Sequence, residues 1–166
     1  MTSGISPAQC RDTFARILAE ELAALTQLET LLQNEHGFLA GNDIEGLEAA
    51  SAARQDCVGR LLKLGDERRD LCRMLGRNSD LAGQSALLSW CDPDGTLGPV
   101  LNEHARRSST CREQNDRNGA LVGARMARLN NMLGMMAGPG TTAVYGPSGL
   151  RASAAPGAGR LVAARA

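Results

Sequence analysis

The sequence predicts an all-α fold: an elongated antiparallel coiled-coil-like bundle of three main helices, about 6–36, 43–75 and 96–137, with a short helix near 80–90 and a flexible C-terminal tail. Three observations carry this prediction. Aromatic residues make up 2% of the 166 residues, and Val and Ile are scarce beside Leu and Ala, whereas sheets are built from β-branched and aromatic residues. Leucines recur at steps of three and four over long windows, the spacing of a helical stripe. Cap signatures stand where two of the helices should open.

The first helix starts at "SPAQ", with Ser6 as N-cap, Pro7 at the first helical position and Gln9 placed to reach back as the second half of a capping box. Phe14, Leu18, Leu22, Leu25, Leu28, Leu32 and Leu39 form its stripe, and Gly37 and Gly41 are expected to interrupt it. "NDIE" opens the second helix, with Asn42 or Asp43 as cap and Glu45 in the first turn. Its seam is read through Ile44, Leu47, Ser51, Arg54, Val58, Leu61, Leu64, Leu71 and Leu75, closed by Gly76. A connection of about five residues folds the two helices into an antiparallel hairpin.

"DLAGQSALLSWC" reads as a short helix and "DPDG" as a turn. The third main helix is expected from near Thr96, because Pro99 falls in a first turn that does not need its N–H. Its seam runs through Leu101, His104, Ser108, Cys111, Asn115, Asn118, Val122, Met126, Leu129, Leu133 and Met136. At about 1.5 Å per residue this helix outruns the hairpin helices by one to two turns, and its methionine-rich end lies in the excess. Past Gly138 the composition turns to Gly, Ala and Pro, too poor in apolar surface to offset the entropy of ordering. The predicted domains are therefore a helical domain, 1–138, and a flexible basic tail, 139–166.

Charge is balanced overall but not along the chain. Residues 1–116 hold 12 of the 18 Lys/Arg and all 18 Asp/Glu, a net charge of −6, and residues 117–166 hold six Arg and no acid, a net +6. Such asymmetry fits an acidic partner or a merely solvated tail. Paired "ERR" and "RR" segments have acids close by and lack aromatics for stacking on bases, so no nucleic acid is expected. Five cysteines without a C-x-x-C pair suit neither a disulfide framework nor a zinc ribbon, and read as small buried thiols in a reducing compartment. Without a run of 18 apolar residues or a signal-like start, a cytoplasmic protein with no membrane insertion is expected.

Catalysis needs a base, an acid or nucleophile, and a pocket. His36 and His104 stand in no H-x-x-x-H or E-x-x-H pattern, and P-loop and G-x-S-x-G motifs are missing, so an enzyme is not expected, nor a cofactor or metal. The binding signals are in the last helix. Methionine is flexible and polarizable, so a Met-rich face adapts to several partners; the competing reading is ordinary core. Asn115 and Asn118 at seam spacing set register and partner number in a coiled coil, at a cost in stability. Gly119, Gly123 and Gly134 weaken the same segment by roughly 1 kcal/mol each relative to Ala.

Taken in order, the hairpin "LETLLQNEHGFLAGNDIEGLEAASAARQDCVGRLLKLGDERRDLCRMLG", the segment "QNDRNGALVGARMARLNNML" and the tail motif "VYGPSGL" resemble the FlgN-type flagellar export chaperones over roughly residues 10–150. The resemblance implies a cytosolic chaperone of the flagellar type III secretion system. Such a chaperone binds C-terminal segments of hook-associated proteins, prevents their premature self-association and delivers them to the membrane export gate, where it resides transiently.

Asn115, Asn118 and Leu121 match the family's N-x-x-N-x-x-L pattern. By the same resemblance, substrate binding maps to Leu121, Val122, Met126, Leu129, Met132, Leu133 and Met136, and docking at the export gate to Tyr145, Gly146 and Gly149. The rival readings are a structural coiled-coil adaptor or homodimer and a basic-tailed nucleic-acid-associated protein. The basic extension after Leu150 is not part of the family pattern.

Overall fold

A computed structural model describes residues 4–136. These hold four helices: α1 (Pro7–Gly41), α2 (Ile44–Met74), α3 (Leu81–Cys91) and α4 (Gly98–Met136). The chain divides into two compact units, Met1–Gly123 and Ala124–Ala166.

Capping chemistry sets the ends. Ser6 accepts from the Gln9 backbone N–H at 3.2 Å, and the Gln9 side chain accepts from the Ser6 N–H at 3.0 Å, which completes the capping box. The stripe on α1 was expected to stop at Gly37 and Gly41, yet the helix continues through Gly37 to Gly41. Leu39 is buried beyond Gly37, and burying one leucine outweighs the roughly 1 kcal/mol that an interior glycine costs. The hairpin connection is correspondingly shorter than predicted. Asn42 takes the left-handed conformation (φ 59°) as C-cap of α1, and Asp43 caps α2 by accepting from the Gly46 N–H at 3.0 Å.

At the other end of α2, Gly76 has φ +64°. Its N–H donates to the Arg73 carbonyl and the Arg77 N–H to the Cys72 carbonyl, the paired bonds of a Schellman motif that glycine permits without strain.

The polar contacts of unit Met1–Gly123 give the helix directions. Arg54, Cys57 and Arg68 on α2 meet Glu35, Ala24 and Glu21 on α1, so α2 runs antiparallel to α1. His104, Cys111 and Asn118 on α4 meet Glu21, Leu25 and Leu32, so α4 runs parallel to α1.

Such a return needs a connection that stays at one end of the bundle, and α3 supplies it. Leu87 and Cys91 of α3 are packed in a core with Cys10, Phe14 and Leu18 of α1, Leu71 and Cys72 of α2, and Leu97 before α4. Asp92 shapes the turn into α4 by accepting from the N–H groups of Thr96 (3.0 Å) and Leu97 (2.8 Å) and from the Thr96 hydroxyl. These bonds hold its carboxyl below the usual range, the Thr96 hydroxyl contributing most.

A second, smaller core joins Leu25 and Leu32 to Cys111, with Leu28 and Leu61 against it. The α2 seam is rotated from the predicted one. Ala50, Cys57, Leu64, Leu71 and Cys72 face inward, whereas Ile44 and Val58 are exposed. Small Ala and Cys side chains let the hairpin helices approach where branched ones would hold them apart.

Candidate partner-binding surfaces

Between α1 and α4 the seam is polar where a coiled coil is usually apolar. Asn118 is buried. Its Nδ2 donates to the Leu32 carbonyl at 2.9 Å, which turns its Oδ1 toward His36 Nδ1 at 3.0 Å. Because the amide oxygen can only accept, the network assigns the proton to Nδ1 of His36, and the imidazole donates. Asn115, the other asparagine of the predicted seam, is exposed and lines an open groove between α2 and α4.

Carboxylates on α1 hold both neighbouring helices. Glu21, almost wholly buried, has Arg68 of α2 at 3.3 Å and His104 of α4 at 3.0 Å from the same oxygen. Neither contact has hydrogen-bond alignment; the Arg68 guanidinium sets its positive charge against the carboxylate, and His104 packs against the same oxygen. Glu35, also buried, accepts from Arg54 at 2.7 Å. Glu29 accepts from Arg107 at 3.0 Å, and Arg107 also bonds Glu103. Hydrogen bonds from Arg106 and Arg107 hold the Glu103 carboxyl at about 2, the Arg106 bond acting most strongly. Uncompensated charge is costly in a core, so this pairing favours one sliding register of the three helices over its neighbours.

The five cysteines are free and buried. Burial, followed by the neighbouring Cys91 and Cys72, pushes the Cys10 thiol up to about 12. Burial raises Cys57, Cys72 and Cys111 as well. Cys10, Cys57, Cys72 and Cys111 therefore stay protonated, and all five side chains pack as small apolar groups. Among the described residues, no group of three or more His, Cys, Asp or Glu is placed to hold a metal ion, and no helix is long and apolar enough to cross a membrane.

Residues 124–136 continue as helix with every position but Arg125 exposed. Of the predicted substrate-binding residues, Leu121 is half-buried, Val122 is 44% exposed, Met126 and Leu129 each 53%, Met132 52%, Leu133 62% and Met136 82%. Val122, Met126, Leu129, Leu133 and Met136 follow steps of four, three, four and three, which place them on one helical face. Arg125 and Arg128 flank it, and no acid occurs from Arg117 onward. At Gly119, Gly123 and Gly134 an added Cβ would meet nothing within 4 Å. Tyr145, Gly146 and Gly149 lie outside the described residues.

Sequence reasoning gave no ion-pair role to Glu21 or Glu35, which carry ion pairs in the core. The signal was present, since both fall within a turn of the leucine stripe, but solvated faces also carry glutamates.

The fold and its exposed apolar helix face define a class: an all-α bundle suited to contact with other helices. Within that class, the family model described as FlgN protein matches residues 11–153, and the chain belongs to this family of flagellar export chaperones. Comparisons with curated proteins and with solved structures found no match.

Proposed function

We propose that the protein is a cytoplasmic export chaperone that holds C-terminal segments of hook-associated proteins through the α4 face of Leu121, Val122, Met126, Leu129, Met132, Leu133 and Met136. The observation that supports this reading is the run of large apolar side chains left in solvent along one face of a helix. A well-exposed stripe of that size is costly in a lone protein and suits an amphipathic partner helix laid against it. Methionine lets the face conform to more than one subunit. Covering the apolar stripe of the subunit's own helix removes the surface by which subunits would associate, and delivery to the membrane export gate follows, with Tyr145, Gly146 and Gly149 as the docking motif.

Truncation after Gly123 tests the proposal. The shortened chain should keep its helical fold and lose capture of hook-associated subunits in a pull-down; undiminished capture would refute the site. In the full chain, Tyr145→Ala should spare subunit capture and weaken binding to the gate. Loss of both would instead place the tail in the substrate site.

A further inference from the structure

Arg68 of α2 and His104 of α4 meet at one oxygen of Glu21 on α1. Toward the C-terminal end of α1 the two helices leave a groove of about 320 Å³ between them. Leu28 and the buried Leu32 of α1, Val58 of α2 with 36% of its surface exposed, and Arg54, Arg112 and Asn115 are among the residues that line it. Its lining contains two arginines and no carboxylate.

We propose that this groove seats one amphipathic helix of a partner protein, with small or medium aliphatic residues on its inner face and acidic residues beside them. This site is separate from the exposed α4 face and does not depend on it. Shape argues for a helix, because two helices packed on a third leave the position that a fourth helix fills in a bundle.

Charge argues for an acidic helix. Arg54 is paired with the buried Glu35, whereas Arg112 has no carboxylate partner among the described residues. Glu113 and Asp116 lie near Arg112 on α4 but outside the lining, and after Asp116 the chain carries only arginines. The chain's own segment 137–166, with three arginines and no acid, has the wrong sign for this lining.

The test uses the full chain carrying Met126→Asp and Leu133→Asp, which disable the other apolar face. Its probe is a labelled peptide about 18 residues long, roughly five turns, with leucines at helical spacing flanked by glutamates, compared with a twin flanked by lysines. Fluorescence anisotropy at low salt should show the glutamate peptide binding about tenfold more tightly than its twin. Adding Arg112→Glu should reverse that order, and adding Val58→Asp should abolish binding. Both changes are at the surface, so circular dichroism should find the helices intact. In hydrogen exchange, the peptide should protect the amides around Leu28 and Val58.

Equal affinity for the two peptides, or indifference to Arg112→Glu and Val58→Asp, overturns the proposal. It is overturned equally if protection at Leu28 depends on protein concentration, which would give the groove to a second copy. Loss of protection at Leu28 on deleting 137–166 would give it to the chain's own tail, with the same consequence.

Discussion

Asn118 shows how much one side chain can decide. It joins α4 to α1 through the Leu32 carbonyl and His36, and moving α4 by one residue along α1 would break both bonds at once. Asn118→Ala leaves the imidazole donor without its partner, and should lower stability by about 1–3 kcal/mol in thermal or urea unfolding. Asn115→Ala, at an exposed position, should change it by less than about 0.5 kcal/mol. Equal effects would mean that the seam is not held at Asn118.

Acid should act through other single residues. The carboxyls of Asp92 and Glu103 are both depressed, Glu103 from 4.5 to about 2. A depressed carboxyl contributes stability that is fully present above its unfolded pKa and is lost as pH falls through the folded one. Stability should therefore decline between about pH 4.5 and 2, and Glu103→Gln should flatten part of that decline in unfolding curves taken across the window.

At the scale of elements, caps and close approaches outweigh intrinsic propensity. Gly83 and Gly119 are both helical glycines in which a substitution to alanine should gain roughly 1 kcal/mol by propensity alone. Their surroundings give opposite expectations. A Cβ on Gly83 would lie 1.9 Å from the Asn78 carbonyl oxygen, at the turn where Asp80 caps α3 by accepting from the Gly83 N–H. Gly119 has open space around it. Gly83→Ala should cost about 1–3 kcal/mol by forcing that backbone apart, and Gly119→Ala should stabilise the free protein; calorimetric melting of the two variants checks both signs.

Over the whole molecule, both cores lie before Gly123. The larger gathers α1, α2, α3 and Leu97, and the smaller joins α1 to Cys111. Among the described residues, those after Gly123 belong to neither core, so truncation there should separate folding from the partner capture proposed for α4. The all-α class, the four helices and most boundaries were legible, because each is written in local signals: the Ser6 to Gln9 box, Asp43, Gly76, and leucines at helical spacing. The exposed α4 stripe was legible as a pattern, but periodicity alone does not tell a core face from a bare one. The α2 seam was misjudged at Val58 and Ile44, since a preference for large aliphatics hides the small Ala50 and Cys57 that actually pack.

By itself the sequence determined where helices begin and end, which residues are apolar at helical spacing, and that positive charge collects after Asp116. Those properties depend on neighbours within a few residues. Only the tertiary structure decided that α4 runs parallel to α1, that α3 closes the bundle end around Phe14, that Glu21 and Glu35 are buried, and that Asn118 rather than Asn115 bonds to α1. Each of these depends on residues dozens of positions apart meeting in space, and a buried charge or amide is tolerated only where a distant partner such as Arg68, Arg54 or the Leu32 carbonyl is there to receive it.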